Sequence, residues 1–121
     1  MRHPMRLREL CCVVVALLVC AALGLAQEYR GRVQGVVVDA SGGVIPGVAV
    51  VLRNDATGVE VTRLTNSEGR YIFDYVDPGA YTITADMRGF KKLIQRNLLV
   101  QQRGDVTADL KMETGSVDES T

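Results

Sequence analysis

Acidic side chains are the residues of this sequence with the most obvious chemical potential, and several lie in or beside turn-forming segments. They are Asp39, Asp55, Glu68, Asp74, Asp77 and Asp86. Clustered loop carboxylates are ligands that calcium prefers, and two facing carboxylates can cleave a glycosidic bond. No D-x-[DN]-x-[DN]-G spacing occurs, however, and Asn66-Ser67-Glu68-Gly69 matches only a fragment of one. The spacing therefore disfavours a calcium site, and so small a domain offers little cleft to house a catalytic carboxylate pair.

Thiol and imidazole groups occur only near the start of the chain. The three cysteines are Cys11, Cys12 and Cys20, and the single histidine is His3. Their availability for chemistry therefore depends on whether this first segment stays attached to the protein.

The first 26 residues have the layout of a secretory signal peptide. Arginines precede an apolar run at 10–25, and Gly24 and Ala26 place small residues three and one before a cut. We predict export to the periplasm or outer membrane, with cleavage after Ala26. An uncleaved anchor is the alternative, although the run is shorter than the ~20 apolar residues of a spanning helix. Lipoprotein cleavage before Cys20 is disfavoured because large apolar residues precede it at 17–19.

Cleavage there would leave 95 residues (121 less 26) with neither cysteine nor histidine. Such a chain forms no disulfide, no Ser-His-Asp triad and no ordinary zinc site, so one hydrophobic core must hold it together. We predict that it is not an enzyme and has no catalytic residue, cofactor or metal ligand. Its acidic and basic residues are mixed, without a basic stripe. This predicts no nucleic-acid partner, and membrane contact only through the signal peptide or a partner.

Four aromatic residues, Tyr71, Phe73, Tyr75 and Tyr81, form the most conspicuous set in the mature chain. They could form a stacking platform for a sugar or a peptide, or they could fill the core. The core is favoured for Tyr71, Phe73 and Tyr81, because a cysteine-free domain of this size needs their burial, and we expect Val76 and Ile83 to fill the core with them. Tyr75 directly precedes a turn, so we expect it to be partly exposed and name it the one candidate ligand contact.

Two further features concern the surface. Arg88, Lys91, Lys92 and Arg96 form the densest basic group, which we interpret as a solvated loop, with contact to an acidic partner as the alternative. Val37 and Val51 are assigned to outer faces of their strands. There they would lie at a strand centre or mark a site where another domain docks.

The elements that position these residues are predicted to be short strands, since no segment after residue 27 keeps a 3.6-residue period. Strands are expected at 33–39, 48–53, 59–65, 71–74, 81–84, 93–101 and 105–112. A type II turn is expected with Pro78 and Gly79 at its centre. This spacing predicts an all-β, seven-stranded antiparallel Greek-key β-sandwich at 27–112, preceded by the signal-peptide helix. We expect the polar tail at 113–121 to be disordered or a linker stub.

The order and spacing of the turn residues resemble those of one family. The matching elements are Gly35 to Asp39, Ile45-Pro46-Gly47, Asn54 with Thr57-Gly58, Gly69-x-Tyr71-x-Phe73, Pro78-Gly79-x-Tyr81 and Gly89-Phe90. Together they resemble the carboxypeptidase regulatory-like domain, a transthyretin-like β-sandwich grouped with carbohydrate-binding-like folds. The resemblance implies a scaffold without catalysis, and it does not extend to the peptidase itself.

The resemblance also implies a biological setting. In bacteria this domain often follows a signal peptide, as an N-terminal extension of TonB-dependent outer-membrane transporters. No plug or barrel sequence follows here, so we expect either a free-standing exported module or the front of a truncated transporter. The leading hypothesis is a non-catalytic module that acts by protein contact, with an outer-membrane transporter as a possible partner. The alternative is a free-standing carbohydrate-binding module that uses Tyr75.

Overall fold

The computed structural model describes residues 6–25 and 28–115. The apolar N-terminal run forms a helix, α1 (Leu7–Leu25), whose leucines and alanines have high helix propensity. Its described side chains, as far as Cys20, are exposed. Among the described residues, no helix combines the length and hydropathy that spanning a bilayer requires. His3, the cleavage position after Ala26 and the end of the predicted tail at 116–121 lie outside the described residues.

Eight strands follow the helix. They are β1 (Gly31–Val38), β2 (Ala49–Asn54), β3 (Glu60–Leu64), β4 (Arg70–Val76), β5 (Gly79–Asp86), β6 (Leu93–Val100), β7 (Asp105–Thr107) and β8 (Leu110–Lys111). One sheet has the order β4-β1-β7, with β8 also paired to β1, and the other has the order β3-β2-β5-β6. The chain therefore crosses between sheets several times, and the predicted β-sandwich is confirmed.

Alternation of side chains explains how each sheet contributes to one core. In β2, Val50 and Leu52 are buried, while Val51 between them lies on the outer face and is half-buried. Their partners across the ladder, Arg63 and Val61 on β3, therefore belong to the same inner face. The core lies between the two sheets, and its largest fully buried side chain is Phe73.

The last predicted strand differs from expectation. Instead of one antiparallel strand at 105–112, two short strands run parallel to β1. The ladder is interrupted where the Asp109 carboxylate accepts a hydrogen bond from the Val36 amide, at 3.0 Å. A side chain thus replaces a backbone carbonyl in the pairing, which splits the strand. Beyond β8, the Lys91 amide donates to the Glu113 carbonyl (2.7 Å), and Phe90 pairs with Thr114.

Gly35 permits the close packing of β1 against this interruption. A Cβ atom at Gly35 would lie 2.0 Å from the Ala108 carbonyl oxygen and 2.9 Å from the Tyr71 hydroxyl. That hydroxyl donates a hydrogen bond to the same carbonyl. Burial raises the pKa of Tyr71, and the nearby negative charge of Asp109 adds to the effect. The glycine is therefore required by a close approach of backbone and side chain.

Two local expectations need correction. Val37 was expected on an outer face, but it is fully buried, because Val33, Gly35 and Val37 share the inward side of β1. The reversal at 77–79 is present and takes the chain from one sheet to the other, because β4 and β5 belong to different sheets. Gly79 has φ 152°, which is too extended for the central position of a type II turn, where φ is near +80°.

Candidate functional site

The four aromatic residues separate as the sequence predicted. Tyr71, Phe73 and Tyr81 are buried, and the rings of Tyr71 and Phe73 meet edge to face with centroids 5.8 Å apart. The Tyr81 hydroxyl donates to the Asp77 carbonyl at 2.7 Å, and burial raises its pKa. Tyr75 is 67% exposed. Three of the four rings thus stabilise the fold, and one is presented to solvent.

Tyr75 is held in an unusual conformation. Its φ is 56°, in the left-handed region that bulky residues rarely occupy. This conformation turns its side chain out of the alternation of β4. The Arg30 guanidinium lies 5.2 Å from the centre of the Tyr75 ring. Backbone strain of this kind clusters at functional sites, so the conformation marks Tyr75 as a candidate contact residue.

Arg30 is in turn fixed by a neighbouring carboxylate. Its side chain donates to both oxygens of Glu28, at 2.7 and 2.9 Å, and its amide donates to the same carboxylate at 3.0 Å. These hydrogen bonds lower the pKa of Glu28 to about 2. The guanidinium beside Tyr75 is therefore one member of a bidentate ion pair with Glu28.

An open groove of about 420 Å³, the end groove, begins at Tyr75. Its walls come from the start of β1, the end of β4 and the start of β7: Glu28, Arg30, Gly31, Arg32, Asp74, Tyr75, Arg103, Gly104 and Asp105. Arg32 and Asp74 form an ion pair of 2.8 Å across it. Arg103 also has a left-handed backbone, with φ 54°. Two strained residues therefore line the same groove, which presents charges of both signs.

A second groove of about 310 Å³, the side groove, lies between the edge strands β3 and β4. Leu52, Phe73, Val76 and Tyr81 supply buried apolar groups, Val59 and Val61 supply exposed apolar groups, and Arg63 supplies an exposed charge. The Arg63 guanidinium lies 5.8 Å from the centre of the Phe73 ring. Tyr75 and Asp74 line both grooves, so the Tyr75 ring marks the boundary between them.

The acidic residues near turns do not converge on one point. Asp39 accepts hydrogen bonds from Ser41 and Gly43 within its own loop, and the Ser41 hydroxyl contributes most to lowering its pKa. Asp55 accepts from the Thr82 hydroxyl at 2.9 Å on another turn. Across residues 6–25 and 28–115, no three His, Cys, Asp or Glu side chains are grouped to hold a metal ion. In the basic group at 88–96, Lys91 forms an ion pair with Glu113, with 3.8 Å between the Lys91 Nζ and the Glu113 Oε2.

A family model describes most of this sandwich. The model of the carboxypeptidase regulatory-like domain matches residues 32–113. The chain belongs to this family. The match begins at the second residue of β1, extends through β8 and confirms the resemblance drawn from the turn residues. At the level of sequence, no curated protein matches the chain.

Solved structures share the fold at low sequence identity. A candidate carbohydrate-binding protein from Bacteroides uniformis aligns with TM-score 0.58 and 20% identity over 69% of this chain and 41% of its own. A catechol 1,2-dioxygenase variant from Acinetobacter radioresistens aligns with TM-score 0.59 and 12% identity, over 80% of this chain and 56% of its own. A minor pilin of Streptococcus agalactiae aligns with TM-score 0.57 and 12% identity, over 77% of this chain and 48% of its own. The chain spans about half the length of these proteins, and the likeness establishes the fold alone.

Sequence reasoning singled out Tyr75 but missed the groove residues Val59, Val61 and Arg63. Their alternation was visible in the sequence, yet it reads like that of any half-buried strand. Their exposure follows from the position of β3 at the end of its sheet, beside the edge of the other sheet. Strand order is not encoded by periodicity, so the sequence carried no signal for this groove.

Proposed function

We propose that the chain is a non-catalytic, exported β-sandwich module that acts by contact with another protein. One observation carries this proposal: all five residues of β3 are exposed. Two large apolar side chains are strongly exposed here: Leu64 at the end of β3 is 67% exposed, and Val59 just before β3 is 61% exposed. Val59 lines the side groove, whereas Leu64 lies on the outer face of β3, and exposed apolar groups on an edge strand are typical of contact surfaces. The low identity to a dioxygenase supplies no argument for catalysis by this chain.

The setting of this contact is also a proposal. The basic residues before α1, the apolar character of the helix and the small residues at its end support export with cleavage after Ala26. We place the mature module in the periplasm or at the outer membrane, where a TonB-dependent transporter is the partner or the remainder of the same protein. Mass spectrometry of the exported protein tests the leader, because a mature N-terminus at Gln27 is expected.

Site-specific photo-crosslinking in the exporting cell tests protein contact. A photoreactive residue replaces Leu64 on β3 or, as a matched control, the exposed Arg96 on the edge strand β6. We expect the Leu64 position to crosslink to an outer-membrane transporter and the Arg96 position to do so weakly or not at all. Absence of a defined protein adduct at Leu64 would overturn the proposed contact function.

Carbohydrate binding is the second candidate, and the geometry of Tyr75 favours it. An exposed aromatic ring beside a groove with charged hydrogen-bonding groups is a surface on which a sugar ring can stack. Saturable binding to a glycan array should disappear in Tyr75→Ala and persist in Tyr75→Phe, which keeps the ring. A glycan array without hits, or binding unaffected by Tyr75→Ala, would remove this candidate.

A further inference from the structure

The backbone of β3 directs hydrogen-bonding groups along its outer edge, away from β2. The Asn54 amide donates to the Val59 carbonyl at 2.9 Å, and the Thr65 amide donates to the Val48 carbonyl at 3.0 Å. Hydrogen-bonded pairs alternate in an antiparallel ladder, so the odd residues from 59 to 65 bond to β2. Glu60, Thr62 and Leu64 consequently direct their N–H and C=O groups away from the sheet, where no described strand lies. The Thr62 carbonyl accepts a hydrogen bond from the Arg63 guanidinium at 3.0 Å, which an added strand would replace.

The other described sheet edges are less suited to accept a strand. The pairing of β6 shifts register between Tyr81 and Ile83, and Asn97 on β6 has φ 62°. On the other sheet, β4 pairs with β1 across a second register shift, and β7 has only three residues. Bulges and short strands are the usual protection against unwanted pairing. By contrast, β3 keeps an unbroken register with β2 over all five residues and contains neither proline nor glycine.

The side groove runs along this same edge. Val61 and Arg63 belong to the inner face, because they pair with Leu52 and Val50. A strand added to β3 would place every second side chain on that face, over the groove. Backbone bonds would then supply attachment, while the groove would select side chains, which is the division of roles in strand addition.

We propose that β3 binds an extended peptide segment of a partner protein as an additional strand of the sheet. The inference rests on the proposed protein-contact function and specifies its surface. An apolar residue of the peptide lies against Val61, and an acidic residue lies against Arg63. Arg63 forms no ion pair with any residue in the described part of the chain, and its guanidinium stands at the rim of the groove.

Charge also argues against a second copy of this chain as the occupant. In a two-fold antiparallel pairing of β3 with itself, facing residues lie on the same face of the joined sheet. Arg63 would therefore face Val59, Val61 or the Arg63 of the other copy, according to register. Glu60 lies on the opposite face and cannot meet it. An acidic peptide from another protein would place a carboxylate opposite the Arg63 guanidinium, whereas the symmetric pair would not.

A designed peptide tests the proposal with the exported, mature chain. The probe is an acetylated and amidated seven-residue peptide of threonines, with one aspartate placed to face Arg63 and one valine placed to face Val61. Backbone amide NMR shifts are followed during titration. We expect saturable shifts at residues 60–64 and along the side groove, and about tenfold weaker binding for Thr62→Pro, which removes one outward N–H. Thr62→Val keeps that N–H and should bind as the wild type does.

The Thr62 amide points away from β2, so the proline removes no bond of the existing ladder. Thermal melting checks this, and a second pair of reagents avoids the proline altogether. Arg63→Glu should prefer the same peptide with lysine in place of aspartate. Shifts confined to the end groove, equal binding by Thr62→Pro, or no exchange of charge preference would overturn strand addition while leaving protein contact elsewhere intact. Self-association lost in Thr62→Pro, measured by sedimentation, would identify a second copy and also overturn it.

Discussion

Phe73 is the position where a single truncation should cost the domain most. Its side chain is fully buried between the sheets, packs edge to face on Tyr71 and has the Arg63 guanidinium over its ring. Removing a buried phenylalanine side chain costs about 3–5 kcal/mol, because transfer energy is lost and a cavity remains. A domain of this size has a free energy of unfolding of only ~5–15 kcal/mol. Phe73→Ala should therefore abolish most of the stability.

The neighbouring residue supplies the matched control. Ile72 belongs to the same strand but points outward and is 46% exposed. Ile72→Ala should change the free energy of unfolding by less than about 1.5 kcal/mol, since little burial is lost. Both variants and the wild type are compared by urea unfolding, monitored by far-ultraviolet circular dichroism. Equal destabilisation by the two variants, or a Phe73→Ala protein within about 1 kcal/mol of the wild type, would refute the assignment of the core.

Three further outcomes follow from local geometry. Gly35→Ala should destabilise the domain by at least about 2 kcal/mol in urea unfolding, because the added methyl group meets backbone atoms that cannot rotate away. Tyr71 has a raised pKa when folded, so its unfolded form loses its proton first as the pH rises above about 10. Melting temperature should thus fall from pH 9 to 11, and less steeply in Tyr71→Phe. Asp39→Ala should speed amide hydrogen exchange at Ser41 and Gly43, because both amides donate hydrogen bonds to the Asp39 carboxylate.

The end of the sandwich that carries Tyr75 could be only partly foreseen. Its position before a turn indicated exposure, and the exposed ring confirms this expectation. Arg30 and Arg103 join it because the start of β1, the end of β4 and the start of β7 meet at one end of a sheet. These segments lie far apart in the chain. No local pattern states that they are neighbours, so their grouping could not be read from the sequence.

The sequence by itself determined the type of structure and most of the core. Alternating apolar residues and turn-forming glycines and prolines act over a few residues, and these local effects specify strands and reversals wherever the chain lies. Tertiary structure decided which strands lie at sheet edges, which side chains are buried and where the backbone departs from a regular strand. It made β3 an edge, buried Val37, split the last strand at Asp109 and gave Tyr75 a left-handed backbone. These outcomes depend on which strands become neighbours, and that is settled by packing energies summed over the whole core.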